Sequence, residues 1–96
     1  MPAYLIFSRE ATLDSKELSI YSGLVPGTLV GRDVKPLVLY GPHQDLEGAR
    51  SEGIVILEFP TADAAMAWYE SPVYREVREH RFKGADFRVI LVEGVQ

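Results

Sequence analysis

Ninety-six residues without a cysteine exclude disulfide bridges, thiolate metal sites and cysteine nucleophiles. Ten basic against fourteen acidic side chains leave a net charge of −4, which opposes the phosphate attraction behind nucleic-acid binding, so no nucleic-acid partner is expected. With 47% hydrophobic and 25% charged residues the chain reads as one globular domain, 1–96, short enough to bury only roughly 60–65% of its unfolded surface.

The predicted elements follow in chain order. Ala3–Ser8, "AYLIFS", is too short for a helix and rich in strand formers. Asp14 is placed to cap a helix, with Glu17 at the reciprocal capping-box position and Leu13 able to staple onto Leu18. Leu18 and Tyr21 share one side of that helix, Val25 follows at helical spacing, and an end or bend is expected near Gly23 and Pro26. Gly27 and Gly31 break the segment up to Val34 into a turn. "KPLVLYG" makes a second strand, with Pro36 tolerated at an edge, and "PHQDLEGARSE" a polar loop.

Gly53–Pro60, "GIVILEFP", is the third strand and Pro60 stops it. Thr61 caps a helix that puts Ala64, Ala65, Trp68 and Tyr69 on one side; Ser71 as N-cap and Pro72 as first helical residue restart it. After a stop at Gly84, Asp86–Gly94 is the fourth strand. The order strand, helix, strand, strand, helix, strand, with each helix joining parallel, adjacent strands by a right-handed crossover, gives an α+β, ferredoxin-like βαββαβ fold. Two helices then cover one face of a four-stranded antiparallel sheet.

These strands are apolar on both faces. Leu5 and Phe7 oppose Tyr4 and Ile6; Val55, Leu57 and Phe59 oppose Ile54 and Ile56; Phe87, Val89 and Leu91 oppose Ile90 and Val92. Helices can cover only one face. The other would leave large side chains in water at about 1.5–3 kcal/mol each, so a second copy packing sheet to sheet is expected, a homodimer. No apolar run reaches the roughly 18 residues of a membrane span, and "MPAYLIFSRE" lacks a basic start and a small-residue cleavage site. A cytoplasmic location without a membrane partner is the expectation.

The run "VILEFPTADAAMAWYESPVYREVREHR", followed by "LVEG", resembles the mostly bacterial family known as domain of unknown function 1330 (DUF1330). The matching positions are Glu58, Phe59, Pro60, Trp68, Tyr69, Ser71, Pro72, Tyr74, Val92, Glu93 and Gly94, and "MPAYLIF" also fits. Between Leu13 and Glu52 the chain departs: "VGRDVKP" replaces the usual glycine-pair entry to the second strand, and "GPHQDLEGARSEG" is unlike the common loop. The resemblance implies the dimeric α+β barrel superfamily, which includes cofactor-independent monooxygenases, lactone isomerases, haem-degrading and haem-binding enzymes, and ligand-sensing modules. Fold likeness of this kind settles no activity.

The candidate chemistry is sparse. His80 is a general base near neutral pH, or a helix-end histidine held by Glu76 or by the helix dipole. Arg81, placed with Val73 and Val77 on the inward side, needs a carboxylate or a ligand anion; Glu58 is the expected internal partner and, if desolvated, an acid or base itself. Tyr69 and Trp68 sit at core spacing more readily than at a cofactor platform. Tyr4 and Tyr40 are placed to line a cleft between sheet and helices, and His43 either closes over that cleft or is solvated in its loop. No metal-ligand spacing exists, no cofactor is expected, and Ser71 is an N-cap rather than a nucleophile. Two functions follow: a cofactor-independent enzyme, monooxygenase-like or isomerase-like, that works on a small organic molecule in the cleft through His80, Arg81, Tyr69 or Glu58, or a non-catalytic ligand-binding or structural dimer.

Overall fold

Three side-chain caps start three helices. Asp14 accepts from the amides of Lys16 and Glu17, at 3.0 and 3.4 Å, and begins α1, Ser15–Thr28. Thr61 accepts from the Ala64 amide at 3.0 Å and begins α2, Ala62–Tyr69. Ser71 both closes α2, donating to the Trp68 carbonyl at 2.7 Å, and opens α3, Pro72–Gly84, by accepting from the Tyr74 amide. Pro72 lacks the amide hydrogen that the first helical position leaves unused, so the break costs little. The helical layer therefore has three members, not two.

Two local expectations change. Glu17 does not return to the Asp14 amide, which donates instead to the Gly84 carbonyl at 3.0 Å; its carboxylate reaches His80 of α3. Leu13 stays exposed rather than stapling, and α1 runs through Pro26 to Thr28, where the Thr28 hydroxyl donates to the Val25 carbonyl at 2.7 Å.

The computed structural model describes residues 1–95. Its strands are β1, Ala3–Thr12; β2, Lys35–Leu39; β3, Gly53–Phe59; and β4, Ala85–Glu93. They form one antiparallel sheet in the order β2-β3-β1-β4, with bulges between Arg9 and Ala11 and between Pro36 and Val38. The strands that a helix joins are not side by side, which corrects the expectation from the sequence: β3 lies between β1 and β2, and β1 between β3 and β4. A helix about 10 Å wide covers two strand spacings of about 4.8 Å, which leaves room for the intervening strand beneath it.

Ala3, Leu5, Phe7, Leu57 and Phe59 point to the helices and are buried there with Trp68 and Tyr74, both 0% exposed. The opposite face carries Ile6 between Ile56 and Ile90, and Tyr4 between Glu58 and Val92. Ile90 and Val92 are exposed on it and the rest are half-buried. Among the described residues no helix is long and apolar enough to cross a membrane.

Candidate functional site

A cavity of about 350 Å³ lies between α1 and the sheet, within the size range of small-molecule sites. Tyr21 and Val25 come to it from α1, Phe7 and Phe87 from the sheet, Trp68 from α2, and Tyr40 from the end of β2. No carboxylate and no cation is among its lining residues. The lining is assembled by ordinary core chemistry: a helix with Leu18, Tyr21 and Val25 on one face meets a sheet face of aromatic and branched residues.

Trp68 shows how core and cavity share one wall. Its indole packs on Phe59, with ring centroids 5.8 Å apart, and on Tyr74 at 4.0 Å, while its Nε1 donates to the Thr28 hydroxyl at 3.1 Å. Tyr40 forms the rim. Its backbone has φ 55°, a conformation disfavoured for a side-chain-bearing residue, and its ring lies on the bare Cα of Gly53 with the Arg9 guanidinium 5.1 Å from the ring centroid. Arg9 is itself paired with Glu52 at 3.2 Å.

Behind the inner wall the Tyr21 and Tyr74 hydroxyls meet at 2.7 Å. Burial pushes both phenols up from the ordinary value, and the nearby Arg81 charge pulls the other way; Tyr40 is raised by burial too, offset by Arg9 and Arg81. All three are therefore neutral near pH 7 and keep a hydroxyl hydrogen to donate.

Arg81 is 3% exposed. Its Nη2 donates to the Tyr69 hydroxyl at 3.3 Å, its guanidinium carbon lies 5.9, 5.3 and 5.0 Å from the ring centroids of Phe7, Phe87 and Phe82, and its Nε has no partner. The ion pairs among the described residues are Arg9–Glu52, His43–Asp45, Arg78–Glu70 and His80–Glu17, and none includes Arg81. The expected Glu58 partner is on the wrong side of the sheet. Glu58 faces outward beside Tyr4, and Tyr4 is raised by burial and then by Glu58. Tyr4 therefore does not line the cleft either.

The two histidines are also engaged elsewhere. His80 Nδ1 meets Glu17 Oε2 at 2.6 Å and ties α3 to α1, while His43 Nε2 meets the Ser51 carbonyl at 2.9 Å inside its own loop. Val73, expected inward with Arg81, is exposed; Tyr74, Val77, Arg81 and Gly84 form the buried side of α3 instead. Of the eight candidate residues, Trp68 and Tyr40 line the cavity, Arg81 and Tyr69 lie behind its wall, and Tyr4, His43, Glu58 and His80 are outside it. Sequence reading missed the Tyr21–Tyr74 hydroxyl pair. The available signal was a tyrosine on the buried face of α1, whose hydroxyl must find a partner. No cluster of potential metal ligands occurs among the described residues.

A four-stranded antiparallel sheet, helices on one face and a cavity between the layers define a ferredoxin-like α+β protein. Within that class, the chain belongs to the family described as domain of unknown function (DUF1330), whose model matches residues 2–95. Among solved structures it is similar to RPA0582 of Rhodopseudomonas palustris, a protein of unknown function, at 18% identity and TM-score 0.79 over 99% of this chain and 83% of that one. It is also similar to SnoaB of Streptomyces nogalater, a cofactor-independent oxygenase, at 10% identity and TM-score 0.70 over 99% and 94% of the two chains. A dimeric ferredoxin-like protein of unknown function from Thermobifida fusca matches at 12% identity and TM-score 0.68, over 97% and 91%. At these identities the likeness shows the fold alone. No curated protein matches.

Proposed function

We propose that the protein is a cytoplasmic homodimer that binds a small organic molecule in the cavity between sheet and helices. The observation that carries this reading is the cavity of about 350 Å³ itself, walled by aromatic rings from both layers and free of charged lining groups. The homodimer is supported by the outer sheet face, where Tyr4, Ile6, Ile54, Ile56, Ile90 and Val92 form a connected apolar surface that one self-complementary contact covers.

A titration with cinnamamide, a neutral planar aromatic probe, followed by 1H–15N correlation spectra, tests the binding reading. Saturable shifts at the Trp68 indole and the Tyr40 amide are expected with this probe or with its charged isostere trans-cinnamate; shifts absent from both residues with both probes refute it. Sedimentation velocity tests the dimer: the wild type is expected at twice the monomer mass and Ile6→Glu at monomer mass, and a monomeric wild type at micromolar concentration refutes it.

A cofactor-independent enzyme is the second reading, favoured by Tyr21, a lining residue whose hydroxyl is backed by Tyr74 and by the Arg81 charge behind the wall and so is fit to polarise a substrate oxygen. Binding without catalysis is preferred because His80 and Glu58, the two proton-moving candidates, both lie outside the cavity.

A further inference from the structure

The geometry points to a small organic anion as the ligand: a flat apolar body filling the cavity and an acidic oxygen, such as a carboxylate, turned to the Tyr21 wall behind which Arg81 lies. This inference rests on the proposed cavity site and adds the chemical class of its occupant.

The argument starts from what Arg81 lacks. A guanidinium is charged at any physiological pH and presents five N–H donors, and burial is ordinarily matched by a carboxylate or phosphate. Here the side chain is 3% exposed, one bond goes to the Tyr69 hydroxyl oxygen, three rings lie about it, and Nε is unpartnered. Ring faces and phenols offset part of the desolvation and leave the charge itself unneutralised.

The second step is where that charge acts. Phe7 and Phe87, whose rings face the guanidinium, are also walls of the cavity. The Arg81 field reaches Tyr21 and Tyr40, both of which line the cavity as well. Tyr21 in turn is hydrogen-bonded to Tyr74, on which the Arg81 charge acts directly, so a pair of hydroxyls links a lining residue to the cation behind the wall. The lining holds no carboxylate, and the other cation nearby, Arg9 over the Tyr40 ring, already has Glu52. An anion entering this space meets the Arg81 charge across the wall and the hydroxyl-bearing Tyr21 and Tyr40, and no carboxylate in the lining repels it.

The shape restricts the class further. The wall is apolar, with the rings of Phe7, Tyr21, Tyr40, Trp68 and Phe87 set among aliphatic side chains, so an apolar, planar ligand body suits it, and the volume of about 350 Å³ admits one or two fused rings or an aryl acid with a short chain. A strongly hydrated multivalent anion such as a sugar phosphate would leave its remaining charges unpaired against this wall.

A matched pair of probes tests the inference: trans-cinnamate and cinnamamide, equal in shape and different in charge, titrated while the single Trp68 indole cross-peak is followed. Cinnamate is expected to bind at least tenfold more tightly than cinnamamide to the wild type. Arg81→Gln is expected to abolish most of the cinnamate-over-cinnamamide preference, with Arg81→Lys in between. Equal affinity of the two probes for the wild type overturns the anion inference and leaves the cavity reading standing; no saturable shift with either overturns both. The wild-type comparison needs no variant to fold, and its cinnamate preference is expected to shrink as salt is raised.

Discussion

Gly84→Ala strikes at the contact that holds α1 against α3. A Cβ built on Gly84 would stand 2.7 Å from the Leu18 amide nitrogen and 3.0 Å from its Cα, and both are backbone atoms that no rotamer change can move. Relief requires α1 and α3 to separate, an overpacking cost of about 1–3 kcal/mol. The Gly84 carbonyl also accepts from the Leu13 and Asp14 amides, at 2.8 and 3.0 Å, and weakening these two bonds adds about 1 kcal/mol. The sum, about 2–4 kcal/mol, corresponds to a fall in Tm of about 10–30 °C for a domain of this size. Thermal unfolding by far-UV circular dichroism, with variant and wild type at one protein concentration, reads it. Gly27→Ala is the control: nothing lies within 4 Å of its added Cβ, and replacing a helical glycine is expected to leave Tm unchanged or raise it by a few degrees. A Gly84→Ala protein melting within about 3 °C of wild type would refute the close-approach argument.

Gly53→Ala is expected to be milder, about 0.5–1.5 kcal/mol, because the added methyl meets the rotatable ring of Tyr40 rather than backbone; a greater loss than Gly84→Ala would reverse the ranking. His80→Ala should cost about 0.5–1 kcal/mol in urea unfolding, the value of a half-exposed interhelical pair, and a loss above 3 kcal/mol would show a larger role. Stability should fall in alkali. The unfolded phenols ionise near 10.0 whereas burial raises folded Tyr21 and Tyr74, so their stabilisation is complete below pH 10 and is lost progressively above it; a flat unfolding free energy from pH 9 to 11.5 contradicts this. Trp68→Phe should leave the Thr28 hydroxyl without its indole donor and lower Tm by about 5–15 °C, with an unchanged Tm counting against that bond.

The elements were legible because their signals are local: Asp14, Thr61 and Ser71 cap helices within three residues of themselves, and strand alternation needs only nearest neighbours. The site was legible only in part. Both faces of the strands are apolar, so the pattern could not say which face the helices cover, and Glu58 was assigned to the face of Arg81 when it belongs to the other. Glu17 reads locally as half of a capping box, yet a histidine 63 residues away takes its carboxylate. The need of Arg81 for an anion was readable from its apolar neighbours; that none of the described side chains supplies one is a fact of the tertiary structure.

Trp68 has an optical consequence. It is the sole indole in the chain, fully shielded, with Tyr69 and Tyr74 at ring-centroid distances of 6.4 and 4.0 Å. Light absorbed by these phenols is handed to one emitter, whose spectrum belongs to the cavity wall and to no other place in the molecule. Its blue-shifted emission can thus follow occupancy, unfolding and helix separation in an unlabelled protein, from a single origin.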